Sequence, residues 1–229
     1  MSLGRRQIFK EIYIPVVPSV DYIHMQKVGY NPSLGVQWET VWDAGGTYPW
    51  DTTNGSCTLA STDPLDDGKV IEVSGVRDDW SYFKVNVTLP GTVGTDIRTV
   101  FHMEVLDSSS ALLGDVSATI DSEVVAKIIN DNNQTLSSIM TIPLGYTGYM
   151  LKGVANTGKD KDVGIQFRIR NNDGPWKTRH LASLYGNTYD YEFPVSLVLP
   201  EKTDIDIRAK AGSTGIQSSC VYDIILEKN

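Results

Sequence analysis

The chain of 229 residues contains no apolar run near the roughly 20 residues that a membrane-spanning helix needs. Its first residues also lack the basic-then-apolar pattern of a secretory signal, so we expect synthesis without Sec-type export. Bases are scarce as well: 20 Lys and Arg stand against 28 Asp and Glu, a net charge of -8. We therefore expect neither a membrane nor a nucleic-acid backbone, which attracts basic surfaces, as a partner.

Cysteine and histidine are also rare. The two cysteines, Cys57 and Cys220, lie far apart, and the sequence leaves open whether they pair. Without an export signal, two reduced thiols are the favoured interpretation. The three histidines, His24, His102 and His180, are scattered and never show the spacing of zinc ligands. The sequence therefore predicts no metal site built on these residues.

Two loops come close to a ligand-binding motif and then depart from it. Residues 153–159 (GVANTGK) match a phosphate-binding loop, but Asp160 stands where Ser or Thr should ligate magnesium, and a strand pattern follows where a helix is needed. Residues 63–68 (DPLDDG) resemble a calcium loop, but Leu65 occupies the third position and Ser74 the twelfth. We interpret both segments as turns, and a weak calcium site outside the EF-hand class is the alternative for 63–68.

Acidic residues are plentiful, but none forms a recognisable catalytic pair. Asp190, Glu192, Asp204 and Asp206 alternate with other residues along predicted strands, a pattern that indicates solvated side chains. No Gly-x-Ser-x-Gly nucleophile motif occurs. The sequence therefore predicts a protein that is not an enzyme, with no catalytic residues, no metal and no cofactor.

Short alternating segments dominate what is present. In residues 163–170 (VGIQFRIR) and 203–208 (TDIDIR), apolar and polar side chains alternate with the period of a half-buried strand. Residues 171–174 (NNDG) tolerate positive φ, which predicts a hairpin turn. Turn signals recur about every 8 to 12 residues, as is typical of a sandwich or barrel. The predicted class is all-β, with two antiparallel β-sandwich, jelly-roll-like domains.

Changes in residue composition and in the hydrophobic pattern along the chain predict where these domains begin and end. We place a β-sandwich domain at residues 38–137 and a jelly-roll-like C-terminal sandwich at 138–229. Residues 121–131 are ambiguous, since an acidic or hydroxyl N-cap would allow a helix there. The β-branched residues of this stretch and the Asn-rich turn at 130–133 favour two strands instead.

Residues 1–37 are predicted to form an extended N-terminal arm. Prolines at positions 15, 18 and 32 prevent a long helix, and the apolar side chains of so short a segment cannot be buried against one another. The residues expected to contact a neighbouring subunit are Ile8, Phe9, Ile12, Tyr13, Ile14, Val16 and Val17. The alternative is a first edge strand and loop of the adjacent domain.

Two tryptophans are candidates for ligand binding. Trp50 and Trp176 each adjoin a proline in turn-like sequence, and we expect both to be exposed. Because exposed tryptophan can stack on a sugar ring, they are predicted ligand-stacking residues, and packing in the core is the alternative.

Several segments carry a resemblance to a known family. In chain order they are residues 39–50 (ETVWDAGGTYPW), 142–151 (IPLGYTGYML), 163–170 (VGIQFRIR), 176–181 (WKTRHL), 189–194 (YDYEFP), 199–209 (LPEKTDIDIRA) and 222–227 (YDIILE). Together they resemble a family of β-rich virion structural proteins of tailed bacteriophages, mostly marine ones. Residues 97–135 depart from the family pattern.

The resemblance implies a non-enzymatic part of a virion, assembled in the bacterial host cytoplasm: capsid decoration, neck, or tail or fibre attachment. Its expected partners are other virion proteins and further copies of itself in a symmetric assembly, contacted through the arm. A receptor- or glycan-binding module at a fibre tip is the alternative. The family supplies no catalytic residues that could be carried over.

Overall fold

The computed structural model describes residues 22–51, 54–106, 110–158 and 161–229. Over these ranges the chain is almost entirely antiparallel β-structure, with a single 3-10 turn at Pro64–Asp66 and no α-helix. The predicted all-β class is confirmed. None of the helical structure within the same ranges is long and apolar enough to cross a membrane.

The strands that the described residues form are, in chain order, β1 (Tyr22–Leu34), β2 (Glu39–Thr40), β3 (Gly55–Ser61), β4 (Val70–Arg77), β5 (Tyr82–Thr88), β6 (Gly91–Leu106), β7 (Val116–Ile120), β8 (Glu123–Ile128), β9 (Met140–Thr141), β10 (Tyr146–Thr157), β11 (Asp162–Asn171), β12 (Lys177–Tyr185), β13 (Thr188–Leu199), β14 (Thr203–Ala211) and β15 (Ile216–Lys228). They form three sheets.

The first domain is one sheet of six strands in the order β5-β4-β6-β3-β7-β8. Strand β6 is 16 residues long, and its first half pairs with β3 while its second half pairs with β4. Because β8 also packs against β6, the sheet curls over its own apolar core. Two strands, as predicted, occupy the ambiguous region: Asp121 and Ser122 have φ of 48° and 72° and form the tight turn between β7 and β8.

The second domain is a sandwich of two sheets. One sheet has the order β1-β15-β10-β13, and the other has the order β12-β11-β14-β2, with β9 also paired to β14. The predicted hairpin turn is confirmed, since Asn172 and Asp173 take φ of 48° and 56° between β11 and β12. Inward-facing residues of both sheets, such as Ile165, Phe167 and Tyr222, form the core between them.

The predicted arm over residues 1–37 is corrected for its second half. Residues Tyr22–Leu34 are strand β1, an edge strand of the sandwich that pairs antiparallel with β15 from Tyr22↔Glu227 to Leu34↔Ile216. Pro32 does not prevent this pairing, because it lies in the irregularity between Asn31 and Leu34, where the hydrogen-bond ladder is already interrupted. This stretch therefore matches the alternative of an edge strand, and only residues 1–21 remain as a candidate arm.

Two apolar cores divide the chain close to the predicted boundary. Ile139 packs in the core of the first domain, whereas Met140 packs in the core of the sandwich. The N-terminal boundary is less simple, since Val41 joins the sandwich core while Trp42 joins the core of the first domain. The segment around these residues runs along the seam between the two domains.

Candidate functional site

The seven predicted interface residues, Ile8, Phe9, Ile12, Tyr13, Ile14, Val16 and Val17, lie outside the described residues. The described chain begins at Tyr22, at one edge of the sandwich. Any surface that receives residues 1–21 must therefore be identified from the rest of the molecule.

The two candidate stacking tryptophans lie against each other at the domain seam. Trp50 is only 6% exposed, so the predicted exposure of this residue is wrong. It lies in a row of edge-to-face aromatic contacts, with ring centroids 4.7 Å from Tyr48 and 5.3 Å from Trp176. The neighbouring proline suggested a surface turn, but the second domain covers this turn and buries the ring.

Trp176 is half-buried, and its ring contacts charged groups of the same domain. The guanidinium carbon of Arg168 lies 4.1 Å from the ring centroid and that of Arg170 lies 4.8 Å from it. Such cation–π contacts occupy the surface on which a sugar ring would stack. Trp50 is therefore not exposed as predicted, whereas Trp176 contacts two arginines at the border of a cleft that both tryptophans line.

The carboxylates of Asp204 and Asp206 are fully buried, which corrects the prediction of solvated side chains. Asp204 accepts hydrogen bonds from Thr141 Oγ1 at 2.7 Å and from Arg170 Nε at 2.8 Å. Asp206 accepts from Arg168 Nε at 3.0 Å and Nη2 at 2.7 Å. Asp190 and Glu192, by contrast, are exposed as predicted.

An arginine from the first domain extends this cluster across the seam. Arg98 on β6 is 6% exposed, ion-pairs with Asp173, and lies 3.7 Å from the second carboxylate oxygen of Asp204. In return Arg170 donates to Asp51 at 2.6 Å. Burial raises the pKa of Asp204, while the hydrogen bonds from Thr141 and Arg170 and the charge of Arg98 oppose the rise. The cluster joins the two domains, and its members Asp51 and Arg168 border a surface cleft beside Trp50 and Trp176.

A second pair of buried charges crosses the same seam. Lys27 on β1 donates to the carbonyl of Phe101 on β6, and burial lowers the pKa of its ammonium to about 7. Asp43 accepts from the backbone amide of Leu136 at 2.9 Å, and burial raises the pKa of its carboxyl to about 7. These groups titrate near neutral pH, so the strength of the seam depends on pH.

We expect Asp43→Asn to change how stability varies with pH. The folded protein holds the Asp43 proton up to about pH 7, whereas the unfolded chain releases it near pH 4, so this residue lowers the free energy of unfolding progressively from about pH 4 to pH 7. In the variant this decline disappears. Urea unfolding at several pH values measures the free energy of unfolding of the variant and of the parent protein, and the difference between the two pH profiles gives the contribution of Asp43. The exposed Asp131→Asn should leave the profile unchanged, and equal profiles for Asp43→Asn and the parent would contradict the assignment.

The loops that came close to ligand motifs are structural. Asp66 is fully buried, and its carboxylate accepts hydrogen bonds from Ser61, Lys69 and the backbone amides of Leu113 and Gly114. These hydrogen bonds outweigh the effect of burial and hold its pKa well below the usual range. Among the described residues, no group of three or more His, Cys, Asp or Glu is placed to hold a metal ion. The phosphate-loop match begins with residues of β10, and strand β11, which belongs to the other sheet of the sandwich, follows it.

The two cysteines are unpaired. Cys57 packs in the core of the first domain and Cys220 in the core of the sandwich. Burial raises the pKa of each thiol to about 12, so neither is a reactive thiolate near neutral pH.

The open side of the sandwich is the candidate functional surface. Strands β12 and β13 end their respective sheets on the same side and are joined by a turn at Gly186 and Asn187. Between them lies an apolar cleft of about 60 Å³, lined by rings that include Phe167, Tyr191 and Phe193. We call this side the open edge (residues 177–199).

Aromatic contacts span the open edge without closing it. His180 on β12 hydrogen-bonds to the Tyr189 hydroxyl on β13, and its ring lies 4.6 Å from that of Tyr191. Leu181 and Tyr185 nearby are 62% and 69% exposed. Exposed apolar side chains beside strands whose outer edges are unpaired mark a surface suited to protein–protein contact.

Sequence reasoning missed the buried ion pairs, although a signal was present. Arg168 and Arg170 alternate with apolar residues on one strand, and Asp204 and Asp206 do so on another. Antiparallel pairing of β11 with β14 places Arg168 opposite Asp206 and Arg170 opposite Asp204. Matching charges at the same spacing on two predicted strands thus indicate the register. The contribution of Arg98 had no such signal, because it comes from another domain.

Comparison with known proteins gives only remote similarity. No protein-family model and no curated protein matches the chain. Among solved structures, that of the infectious bursal disease virus Gx strain is 10% identical with a TM-score of 0.21, covering 94% of this chain and 79% of that one. The VP2 subviral particle of the same virus is 13% identical with a TM-score of 0.23, covering 94% and 74%. The fold assignment therefore depends on the strand pairing described above.

Proposed function

We propose that the protein is a non-enzymatic structural component of a tailed-phage virion, serving in capsid decoration, the neck, or tail or fibre attachment. It is assembled in the host cytoplasm and held to other virion proteins or to copies of itself by its first 21 residues. The family resemblance of the sequence supports the virion role. The open edge supports assembly, because it leaves two strands and an apolar cleft without a covering element among the described residues.

The observation that carries this proposal is the combination of an apolar sequence before β1 with an uncovered sheet edge. The apolar segment comprises residues 8–17 (IFKEIYIPVV), which precede β1. Apolar surface released from water contributes about 25 cal/mol per Å², so a neighbour that accepts this segment gains stability. The position of β1 limits the arm to residues 1–21, and a truncation that extends past Tyr22 would remove a strand of the sandwich.

We expect the full-length double variant Ile12→Asp with Ile14→Asp to fold normally and to lose its association with neighbours. The substitutions place two charges in the apolar segment, which precedes β1 and is proposed to pack on a neighbour, so the urea midpoint should stay unchanged. Sedimentation should show a smaller species than the parent, and purified particles should lack the variant.

The matched control is the double variant Leu65→Asp with Leu113→Asp. These side chains are 73% and 54% exposed in the first domain, so the same chemical change falls on a surface that the proposal does not use. The control should assemble like the parent. Normal incorporation of the Ile12 and Ile14 variant would contradict the proposed function.

We do not propose a glycan-binding module, the alternative function, for this protein. Trp50 is buried in the seam, and the ring of Trp176 is in contact with Arg168 and Arg170. The stacking residues on which that alternative depended are therefore used within the molecule.

A further inference from the structure

We propose that the apolar segment of one copy adds as an outer strand to β13 of another copy. This proposal rests on the proposed function and names the surface that receives the segment. The added strand would pair with the free side of β13, beside the regular stretch of residues 188–192 that pairs with β10 on its other side. Strand addition of this kind supplies main-chain hydrogen bonds and covers apolar side chains.

The choice of β13 follows from which edges of its sheet are covered. The opposite edge, β1, lies against the first domain: Tyr30 donates its backbone amide to Leu136 O at 3.2 Å, and Lys27 donates to the carbonyl of Phe101 on β6. Within the described residues, β13 has β10 as its only strand partner. An exposed strand edge of this kind is a template for another chain.

Pro15 and Pro18 are compatible with an outer strand only if one particular side of the segment faces β13. Along a strand, successive residues point their amides to opposite sides, and proline has no amide hydrogen to donate. Pro15 therefore has to point away from β13, which makes residues 10, 12 and 14 the ones that donate to it. Pro18 has the opposite parity, so pairing ends before it, at residue 17.

Side-chain chemistry also matches. Tyr189, Tyr191 and Phe193 of β13 are half-buried around the cleft, while Asp190 and Glu192 are exposed between them. Within the apolar segment, residues 12–14 (IYI) are β-branched and aromatic side chains of high strand propensity, which suit a strand laid along such a cleft. Two basic residues, Arg5 and Arg6, lie just before the segment and complement the two carboxylates.

We assign the segment to a second copy, because pairing that continues to residue 17 leaves its own chain too short. The sheet order β1-β15-β10-β13 puts a strand beyond β13 four spacings from β1, about 19 Å at 4.8 Å each. Residue 17 is joined to Tyr22 by five Cα–Cα links, which span at most about 18 Å when fully extended. The covalent path would also have to pass three strands, β15, β10 and β13.

A proline comparison in the full-length chain tests the pairing. Ile12→Pro removes a donating amide, and we expect self-association at least tenfold weaker than that of Ile12→Ala. Tyr13→Pro changes an amide that points away, and it should stay within about threefold of Tyr13→Ala. Sedimentation velocity over a concentration series measures these dissociation constants, and the alanine variants correct for the lost side chains. Equal effects of the two prolines would overturn the proposal.

Charge reversal identifies the receiving strand. Asp190→Lys with Glu192→Lys should weaken self-association at least tenfold, and adding Arg5→Glu with Arg6→Glu to that variant should restore much of it. Asp67→Lys with Asp131→Lys, which reverses two exposed charges of the first domain, should have no effect. No weakening by the β13 pair, or a monomer at every concentration, would exclude β13 as the acceptor for a second copy.

The outcomes separate this proposal from the function beneath it. If Ile12→Asp with Ile14→Asp abolishes assembly while the two prolines behave alike, the segment still anchors the protein but does not pair as a strand. If the aspartate variant assembles normally, both proposals fail.

Discussion

Asp204→Ala should lower the free energy of unfolding by about 3–5 kcal/mol, the effect expected when one partner of a buried ion pair is removed. The carboxylate of Asp204 lies between Arg170, whose Nε donates to it at 2.8 Å, and Arg98, 3.7 Å away. Both arginines are almost fully buried and would keep their charge with fewer partners. Because the cluster crosses the domain seam, urea unfolding should also lose cooperativity and show separate transitions for the two domains.

A double variant tests whether the loss arises from uncompensated charge. Asp204→Ala combined with Arg170→Met should cost less than the sum of the single changes, since removing both partners leaves no isolated buried charge. Asp131→Ala, which removes an exposed carboxylate, should change stability by less than about 0.5 kcal/mol. Strict additivity of the Asp204 and Arg170 variants would contradict the pairing.

Gly75→Ala should destabilise the first domain by about 3 kcal/mol, at the upper end of the range for overpacking. Gly75 lies in β4, and a Cβ at this position would lie 1.9 Å from the backbone carbonyl oxygen of Thr99 and 2.9 Å from the Phe83 ring. A backbone oxygen cannot rotate away as a side chain can, so β4 and β6 would have to separate. Thermal unfolding should show a large loss in the transition of this domain.

Gly153→Ala is the matched control. This glycine also lies inside a strand, β10, but a Cβ there would come no closer than 3.9 Å to any neighbouring atom. We expect its stability to stay within about 0.5 kcal/mol of the parent or to rise slightly, because alanine restricts the unfolded chain. Similar losses for both substitutions would show that close approach at Gly75 is not the cause.

Local patterns were sufficient wherever neighbours in sequence decide the structure. The alternation of residues 163–170 predicted β11, and the NNDG run predicted the turn after it, since positive φ is a property of those residue types. The β-branched residues of β7 and β8 correctly favoured strands over a helix. The boundary near residue 137 was predicted from a change of pattern, and in the structure Ile139 and Met140 belong to different apolar clusters.

Packing between the domains decided what local patterns could not. Alternation of side chains shows that a strand has two faces, but it does not show that another domain covers the outer face. Because the outer face is covered here, Asp204, Asp206 and Trp50 are buried. Pairing of β1 with β15 joins residues about 200 positions apart, so the local sequence pattern around β1 did not predict it.

The sequence alone determined the β class, strands such as β7, β8 and β11, and the turn after β11, because these depend on the conformational preferences of adjacent residues. Only the tertiary structure decided which charged and aromatic side chains remain accessible and which sheet edge stays uncovered. The physical reason is that burial and edge protection depend on contacts between segments far apart in the chain.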